Sequence, residues 1–218
     1  MMKLRCMVAL GALFTSVTAG AAPLTVTVGN FASGDKSGWE EQEFKGKVKY
    51  SVVKVGNGAH ALEARSSDAA SGLHKKISVD LEKTPYINWT WRVTNTLKGV
   101  DETTKKGDDY PARIYVILSG GLLFWKTQAL NYVWSSTERP TDASWPNAYT
   151  SSVIMVAADS GNSKAGTWVT HKRNLREDIK RHLGKDVKHV DAIAVMSDTD
   201  NSGQSATAYY GNIFMSSE

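Results

Sequence analysis

A short polar segment near the end of the chain carries the clearest signal for metal chemistry. Asp198, Asp200 and Asn201 stand close together, and a glycine turn follows them. Hard cations such as Ca²⁺ prefer the carboxylate and carbonyl oxygens of such loops. The match is incomplete, because no glutamate follows at the spacing of a helix-loop-helix calcium site. Two interpretations stay open: one structural Ca²⁺ held by Asp198, Asp200 and Asn201, or an acidic hairpin whose side chains bond local backbone.

A second group of ionisable residues closes the longest polar stretch of the chain, residues 95–109. Asp108 and Asp109 are adjacent carboxylates, and Arg113 follows at the start of an apolar run. Paired carboxylates could perform acid and base work on a glycoside. A half-buried guanidinium, however, needs a carboxylate partner, so an ion pair that fixes the loop to a sheet is the interpretation we favour. All three residues are candidates for contact with a ligand.

Aromatic residues form a third group, with seven tryptophans and eight tyrosines in the chain. Sugar-binding proteins stack such rings on the apolar faces of pyranoses, and protein cores use the same rings for packing. Trp89 and Trp91 alternate with polar residues and are predicted to be core. Trp125, Trp134 and Trp145 lie in or beside turn-rich segments, so they are the predicted ligand platforms.

The residue patterns that several other kinds of chemistry require are absent from the sequence. No Gly-x-Ser-x-Gly elbow occurs, the one cysteine is Cys6, and the five histidines are scattered without zinc-site spacing. The formal net charge of +4 is small, and Glu177 and Asp178 interrupt the most basic stretch, so no affinity for nucleic acid is expected. We therefore expect no nucleic-acid partner.

The first 21 residues have the composition of a secretory signal peptide. Lys3 and Arg5 precede an apolar run over 8–14, and small residues follow at 19–21. Residues 1–21 are predicted to be removed, which leaves 22–218 as a single periplasmic or secreted domain. No later segment has the roughly 18 to 20 apolar residues that a membrane span requires, so the mature chain should have none.

The elements that must position these residues are predicted to be strands. Apolar and polar residues alternate with period two in several segments, most clearly over 87–94. The runs 114–118, 153–156 and 193–196 are continuously apolar, which predicts central strands covered on both sides. One helix is expected around 174–184, where Asn174 can cap the start and Gly184 the end. The pattern predicts an all-β protein, a two-sheet β-sandwich of the jelly-roll kind.

Six phrases, in order along the mature chain, resemble a secreted bacterial family known as a domain of unknown function, number three thousand and forty-seven. The phrases are Gly38-Trp39-Glu40, Trp89-Thr90-Trp91-Arg92-Val93, Asp108-Asp109-Tyr110-Pro111-Ala112-Arg113-Ile114-Tyr115-Val116, Leu130-Asn131-Tyr132-Val133-Trp134, Val195-Met196-Ser197-Asp198-Thr199-Asp200-Asn201-Ser202-Gly203 and Ala208-Tyr209-Tyr210-Gly211-Asn212-Ile213. The resemblance brings no catalytic residues with it. It also implies a relation to the galactose-binding-like jelly rolls, which include many carbohydrate-binding modules.

Three functions are compatible with these residues. The leading hypothesis is an exported, non-catalytic binding protein that recognises a carbohydrate or an envelope glycan, with one structural Ca²⁺. The second is a glycan hydrolase, whose carboxylates would come from Asp108, Asp109, Asp198, Asp200, Glu40 and Glu41. The third is a structural subunit of an envelope complex. An enzyme requires two of these carboxylates to converge in a cleft about 5 to 10 Å apart. The sequence leaves the oligomeric state open.

Overall fold

The computed structural model describes residues 22–118 and 127–218. The signal peptide predicted over 1–21 and the candidate platform Trp125 lie outside the described residues. Within those two ranges thirteen strands and one α-helix are present. The prediction of an all-β protein with one short helix is confirmed.

Thirteen strands, β1 to β13, build the molecule. In chain order they are Thr25–Gly29, Glu40–Lys45, Lys49–Lys54, His60–Ser67, Ala70–Asp80, Tyr86–Val93, Tyr110–Leu118, Gln128–Ser135, Ser144–Pro146, Val153–Ser160, Val169–Asn174, His189–Asp198 and Ser205–Ser216. The helix α1 spans Leu175–Leu183, between β11 and β12.

The strands form two sheets. The six-stranded sheet has the order β11-β6-β13-β4-β3, with β1 also paired to β13, and the seven-stranded sheet has the order β2-β5-β12-β7-β8-β10-β9. The pairs are antiparallel except β8 with β10, which run parallel. Strands from distant parts of the chain thereby become neighbours, and β12 lies between β5 and β7.

The core lies between the two sheets and is rich in aromatic rings. On β6 the residues Trp89 and Trp91 point inward and are buried, as the alternation over 87–94 predicts. Trp89 stacks on Tyr132 of β8 with the ring centroids 5.0 Å apart, and Trp91 lies 6.0 Å from the ring of Trp134. These contacts join β6 of one sheet to β8 of the other. The predicted two-sheet sandwich is therefore confirmed.

Two of the three predicted ligand platforms are wrong. Trp134 has no exposed surface, because it belongs to the inward-facing row of β8 and its indole Nε1 donates to the carbonyl oxygen of Gly161 at 3.0 Å. Trp145 is only 9% exposed. It lies on the short strand β9, packs with Met155 of β10, and donates from Nε1 to the Tyr110 hydroxyl at 3.2 Å. Turn-rich neighbours did not expose either ring, because both indoles are held by packing and by a hydrogen bond.

Helix α1 forms where the capping residues predict it. The Asn174 side chain accepts a hydrogen bond from the backbone N–H of Glu177 at 3.2 Å, and Gly184 ends the helix with a φ of 68°. Leu175 and Ile179 are buried against the core. In the described part of the chain, no helix has the length and apolar character needed to cross a membrane.

Candidate functional site

A groove of about 780 Å³ lies on the outer face of the seven-stranded sheet. Its floor is formed by outward-facing residues of five adjacent strands, β5, β12, β7, β8 and β10. These residues are small or apolar at most positions: Ala70, Gly72, Ile117, Ala129, Val153, Ala194 and Met196. The apolar runs in β7 and β12 were predicted to be covered on both sides. On β12 the outward-facing Ala194 and Met196 are buried, at 8% and 7% exposed, whereas on β7 the outward-facing Tyr115 and Ile117 are only partly buried; all four line the groove.

Three aromatic residues border the groove. Phe44 on the edge strand β2 is 68% exposed and Tyr149 is 56% exposed, while Tyr115 on β7 is half-buried. Tyr149 is fixed in place, because its hydroxyl lies 2.7 Å from Asn201 Oδ1 and its backbone N–H donates to Asn147 Oδ1 at 3.0 Å. Rings that are both exposed and held in position lose little freedom when a ligand covers them.

Arg113 is the central cation at one end of the groove. It is 2% exposed, and its Nη2 donates to Asp198 Oδ2 at 2.5 Å and to the Asp108 carbonyl oxygen at 2.8 Å. Nη1 donates to the Tyr115 hydroxyl at 2.7 Å, and the guanidinium lies 4.2 Å from the centroid of the Tyr110 ring. Burial opposes its charge, but the neighbouring carboxylates outweigh this and hold the pKa of Arg113 well above its usual range. The favoured ion pair is present, with Asp198 as the close partner.

Three carboxylates at this end form a compact cluster. Asp109, Asp198 and Asp200 each have an oxygen within 4.8 Å of the others, so together they could hold a metal ion. Asp109 accepts hydrogen bonds from the backbone N–H groups of Asn201 at 3.1 Å and Ser202 at 2.6 Å. The Asn201 amide also donates to Asp109 at 3.1 Å. As oriented, Asn201 presents nitrogen to the cluster, which differs from the oxygen ligand that the sequence suggests.

Two carboxylates at the acidic end hold protons more tightly than usual. Burial raises the pKa of Asp108, and the charges of Asp109 and Asp200 add to this, although Arg113 and Asn147 oppose it. Burial and Asp109 likewise raise the pKa of Asp200, with Lys45 opposing. Negative charge at this end is thus only partly compensated by cations.

The structure brings most of the sequence candidates to one place. Asp108, Arg113, Asp198, Asp200 and Asn201 all line the groove. Asp109 joins them through the cluster with Asp198 and Asp200. Trp134 and Trp145 do not line it, although Val153, which packs against the Trp145 cluster, does. Pairing of β12 with β7, which places Asp198 opposite Tyr110, causes this convergence.

Sequence reasoning missed the exposed aromatic residues and their polar neighbours. Tyr149 follows Asn147 in a polar turn, and Phe44 is the one apolar residue of the charged strand β2. An aromatic residue isolated among polar ones is the available signal, because burial of such a segment is unfavourable and the ring stays at the surface. Gln42 and His74 also line the groove and were not singled out.

Comparison with known proteins agrees with a sandwich of the carbohydrate-binding-module type. A family 30 carbohydrate-binding module of the cellulosomal cellulase Cel9D-Cel44B of Clostridium thermocellum is similar, with a TM-score of 0.50 and 14% identity over 89% of this chain and 98% of that one. A family 11 module of the cellulase Lic26A-Cel5E from the same organism has a TM-score of 0.47 and 12% identity over 90% and 95% of the two chains.

The chain belongs to the family described as protein of unknown function (DUF3047), whose model matches residues 37–214. Among curated proteins, none matches the sequence. The suspected family is therefore confirmed, and the likeness of the solved structures shows the fold alone, a two-sheet β-sandwich.

Proposed function

We propose that this protein is an exported, non-catalytic binding protein that takes a carbohydrate chain into the groove. The observation that carries the proposal is the groove itself, a cavity of about 780 Å³ with an apolar floor. The exposed rings of Tyr149 and Phe44 border it, and polar groups close it at one end. A pyranose has apolar faces and a polar rim, so it matches flat rings beside hydrogen-bonding groups.

The hydrogen bonds that the carboxylates accept favour a binding function over hydrolysis. Both Asp108 oxygens accept hydrogen bonds from Asn147, at 3.0 and 2.8 Å. Asp109 is held by backbone N–H groups and Asp198 by Arg113. A general acid or base must be free to exchange a proton with the substrate, and these groups are committed to the protein. The candidates Glu40 and Glu41 lie on the exposed edge strand β2.

The distribution of exposed apolar side chains favours a ligand groove over a structural subunit. In the described ranges the large exposed apolar residues are Leu24, Phe44, Tyr149 and Trp168. Two of them border the groove, and the others stand apart from it. Permanent subunit contacts bury a broad apolar area, which these scattered residues do not supply.

The test compares one ring in the groove with one ring on the opposite side of the molecule. We expect mobility of the mature protein to be retarded in gels that contain a neutral soluble polysaccharide, taken from a panel of β-glucan, xylan and galactomannan. Tyr149→Ala should weaken the dissociation constant by about tenfold, because a central aromatic contact is worth more than about 1 kcal/mol. Trp168→Ala is the matched control and should bind as the native protein does.

Absence of retardation by every polymer of the panel would reject the proposal. Equal binding by the native protein and Tyr149→Ala would also reject the groove as the site. Release of reducing ends that is lost in Asp108→Asn, with folding unchanged, would replace binding by hydrolysis.

We also propose that the cluster of Asp109, Asp198 and Asp200 takes one Ca²⁺ with a structural role. Three carboxylate oxygens within 4.8 Å of one another support this, and the Asn201 amide would have to turn over to add its oxygen. Calcium at about 100 times its dissociation constant should stabilise the fold by about 2.7 kcal/mol, a rise in melting temperature of several degrees.

Thermal unfolding in EDTA and in millimolar Ca²⁺ tests the metal proposal. The response should shrink in Asp200→Asn and persist in Asp186→Asn, whose carboxylate is exposed and paired with Arg176 instead. Identical responses of the two variants would reduce the cluster to an acidic turn.

Export is proposed from the charged start, apolar run and small residues of 1–21. The intact mass of protein recovered from the periplasm or medium should correspond to a chain that begins near residue 22. Recovery of exported protein that begins at Met1 would contradict this proposal.

A further inference from the structure

The outer face of the six-stranded sheet carries a row of side chains that the groove does not involve. Trp168, Arg92 and Tyr209 stand side by side across β11, β6 and β13, and we refer to these three residues as the ladder. Tyr209 is opposite Arg92 in the β13 and β6 pairing, and the β11 register that pairs Val169 with Trp91 continues to Trp168 beside Arg92. The ladder therefore runs across the strands.

Arg92 is wedged between the two rings of the ladder. Its guanidinium carbon lies 4.3 Å from the centroid of the Tyr209 ring and 5.2 Å from that of Trp168. Trp168 remains 40% exposed, which is unusual for a tryptophan on a sheet face. Stacking holds the half-buried guanidinium of Arg92 in a fixed place between the two rings, and its Nε is buried there.

Cationic side chains outnumber carboxylates around the ladder. Among residues 22–118 and 127–218, no carboxylate lies within ion-pair distance of Arg92, and its Nε has no hydrogen-bond partner. Glu63, the nearest acid in the row, has both oxygens engaged by Arg65 at 2.7 and 2.9 Å. Lys49 is paired opposite Arg65 on β3 and adds a further cation. An anion is the complement that this surface lacks.

We propose that the ladder is a second binding site, specific for a carboxylated polysaccharide such as one built from uronic acid residues. The Arg92 Nη groups donate charge-assisted hydrogen bonds to the sugar carboxylate, and the exposed surface of Trp168 covers the apolar face of an adjoining ring. This site goes beyond the proposed groove function, because it lies on the other sheet and binds an anionic rather than a neutral polysaccharide. Glycan chains could then be held on both sides of the sandwich.

The pairing of β13 with β6 is irregular next to the ladder. The register of β13 with β6 shifts between Tyr210 and Ile213, and Gly211 lies in that irregular stretch. A Cβ at Gly211 would lie 2.3 Å from Thr90 Oγ1, so the close approach of the two strands requires glycine there. No side chain rises from that position beside Tyr209.

The experiment uses polygalacturonate, its carboxyl-reduced neutral counterpart and dextran sulfate as probes for the mature protein. Affinity gels and titration calorimetry should show binding of polygalacturonate that weakens by about tenfold in Arg92→Gln, the value of one charge-assisted contact. Trp168→Ala should weaken it similarly, and this exposed substitution keeps the test valid if Arg92→Gln disturbs folding. Leu24→Ala, which truncates an exposed apolar side chain outside both the groove and the ladder, should leave it unchanged.

The arms of the experiment separate this site from the groove. Binding of the carboxyl-reduced polymer should be the same in the native protein and in Arg92→Gln. Binding of polygalacturonate should weaken as the salt concentration rises. Failure of the native protein to bind polygalacturonate would overturn the proposal. Binding by Arg92→Gln and Trp168→Ala as tight as that of the native protein would also overturn it. Dextran sulfate bound as tightly as polygalacturonate through Arg92 would overturn the carboxylate specificity. Loss of neutral-glycan binding in Tyr149→Ala concerns the groove alone, so the two sites can fail separately.

Discussion

The two outer faces of the sandwich use charge in opposite ways. On the groove face, Arg113 is 2% exposed and its partner Asp198 is 4% exposed, so both charges are removed from water. On the ladder face, the Arg65 side chain is 60% exposed and Arg92 rests on aromatic rings. The pair of Arg113 and Asp198 is removed from water, whereas Arg65 meets Glu63 at the surface and Arg92 is in no ion pair among the described residues. Charge therefore builds the groove, and we propose that it serves as the contact on the ladder.

The loop before β7 makes the buried charges of the groove possible. Glu102 has no exposed surface and accepts hydrogen bonds from the Ser135 hydroxyl, the Ser136 backbone N–H and Arg139. Burial raises its pKa, although these donors oppose the shift. The loop is thus anchored to the end of β8, and Asp108 and Asp109 follow it into fixed positions.

The largest expected effect comes from breaking the buried pair of the groove face. Asp198→Asn removes the carboxylate that lies 2.5 Å from Arg113 and leaves an uncompensated cation in a dry site. The free energy of unfolding should fall by about 3 to 5 kcal/mol. Chemical denaturation monitored by tryptophan fluorescence measures it.

Glu63→Gln on the ladder face is the matched control for that prediction. It removes the carboxylate of an ion pair whose arginine is mostly in water, so the loss should be far smaller. Similar losses in the two variants would mean that burial does not distinguish the faces.

Local sequence patterns predicted the fold well because those patterns act over a few residues. Alternation in β6 placed Trp89 and Trp91 in the core, and Asn174 with Gly184 bounded the helix. The convergence of Asp108 and Asp198 could not be predicted in the same way, because it depends on β12 pairing with β7, which brings together residues as far apart in sequence as Arg113 and Asp198, 85 positions. Pairing of distant strands leaves no local signature.

The aromatic residues show where composition misleads. Trp134 and Trp145 were predicted as platforms because turns surround them, yet packing buries both rings. Tyr149 is the exposed ring instead, and it lies in the turn between β9 and β10. Continuous apolar runs in β7 and β12 were a genuine signal, but one face of each lines the groove rather than a second layer. An apolar outer face can therefore indicate a binding floor as well as burial.

A smaller effect should follow from filling the close approach on the ladder face. Gly211→Ala forces the new methyl group against Thr90 Oγ1, and overpacking of this kind costs about 1 to 3 kcal/mol. Thr90→Ala removes that oxygen, so the double variant should be more stable than the sum of the two single changes predicts. Denaturant unfolding of the four proteins gives the coupling.

Gly72→Ala on the groove face provides the comparison for that cycle. Its nearest contact would be the Val195 carbonyl oxygen at 3.3 Å, so the backbone needs to give only slightly and the loss should be smaller. A larger loss at Gly72 than at Gly211, or additive changes at Thr90 and Gly211, would contradict the steric explanation.

The smallest expected effect is a difference in how the two faces respond to pH. Asp200 on the groove face has a pKa raised above the ordinary value of 3.8, by burial first and by Asp109 next. The folded protein therefore holds this proton more tightly than the unfolded chain does, and its ionisation costs stability as pH rises above 3.8. Asp200→Asn should be the more stable protein at neutral pH, and its advantage should disappear as pH falls toward that value.

Glu63 on the ladder face should give the opposite sign. Its hydrogen bonds with Arg65 lower its pKa below the ordinary value of 4.5, although burial opposes this. Its ionised form therefore stabilises the fold at neutral pH, and that contribution is lost as pH falls below 4.5. Glu63→Gln should be the less stable protein at neutral pH and should approach the native protein in acid. Urea unfolding of the native protein and both variants from pH 3 to 7 measures the two differences. As pH rises, the stability of the two variants relative to the native protein should change in opposite directions, because the pKa is raised at Asp200 and lowered at Glu63. A change in the same direction would show that the two faces do not differ in how they hold charge.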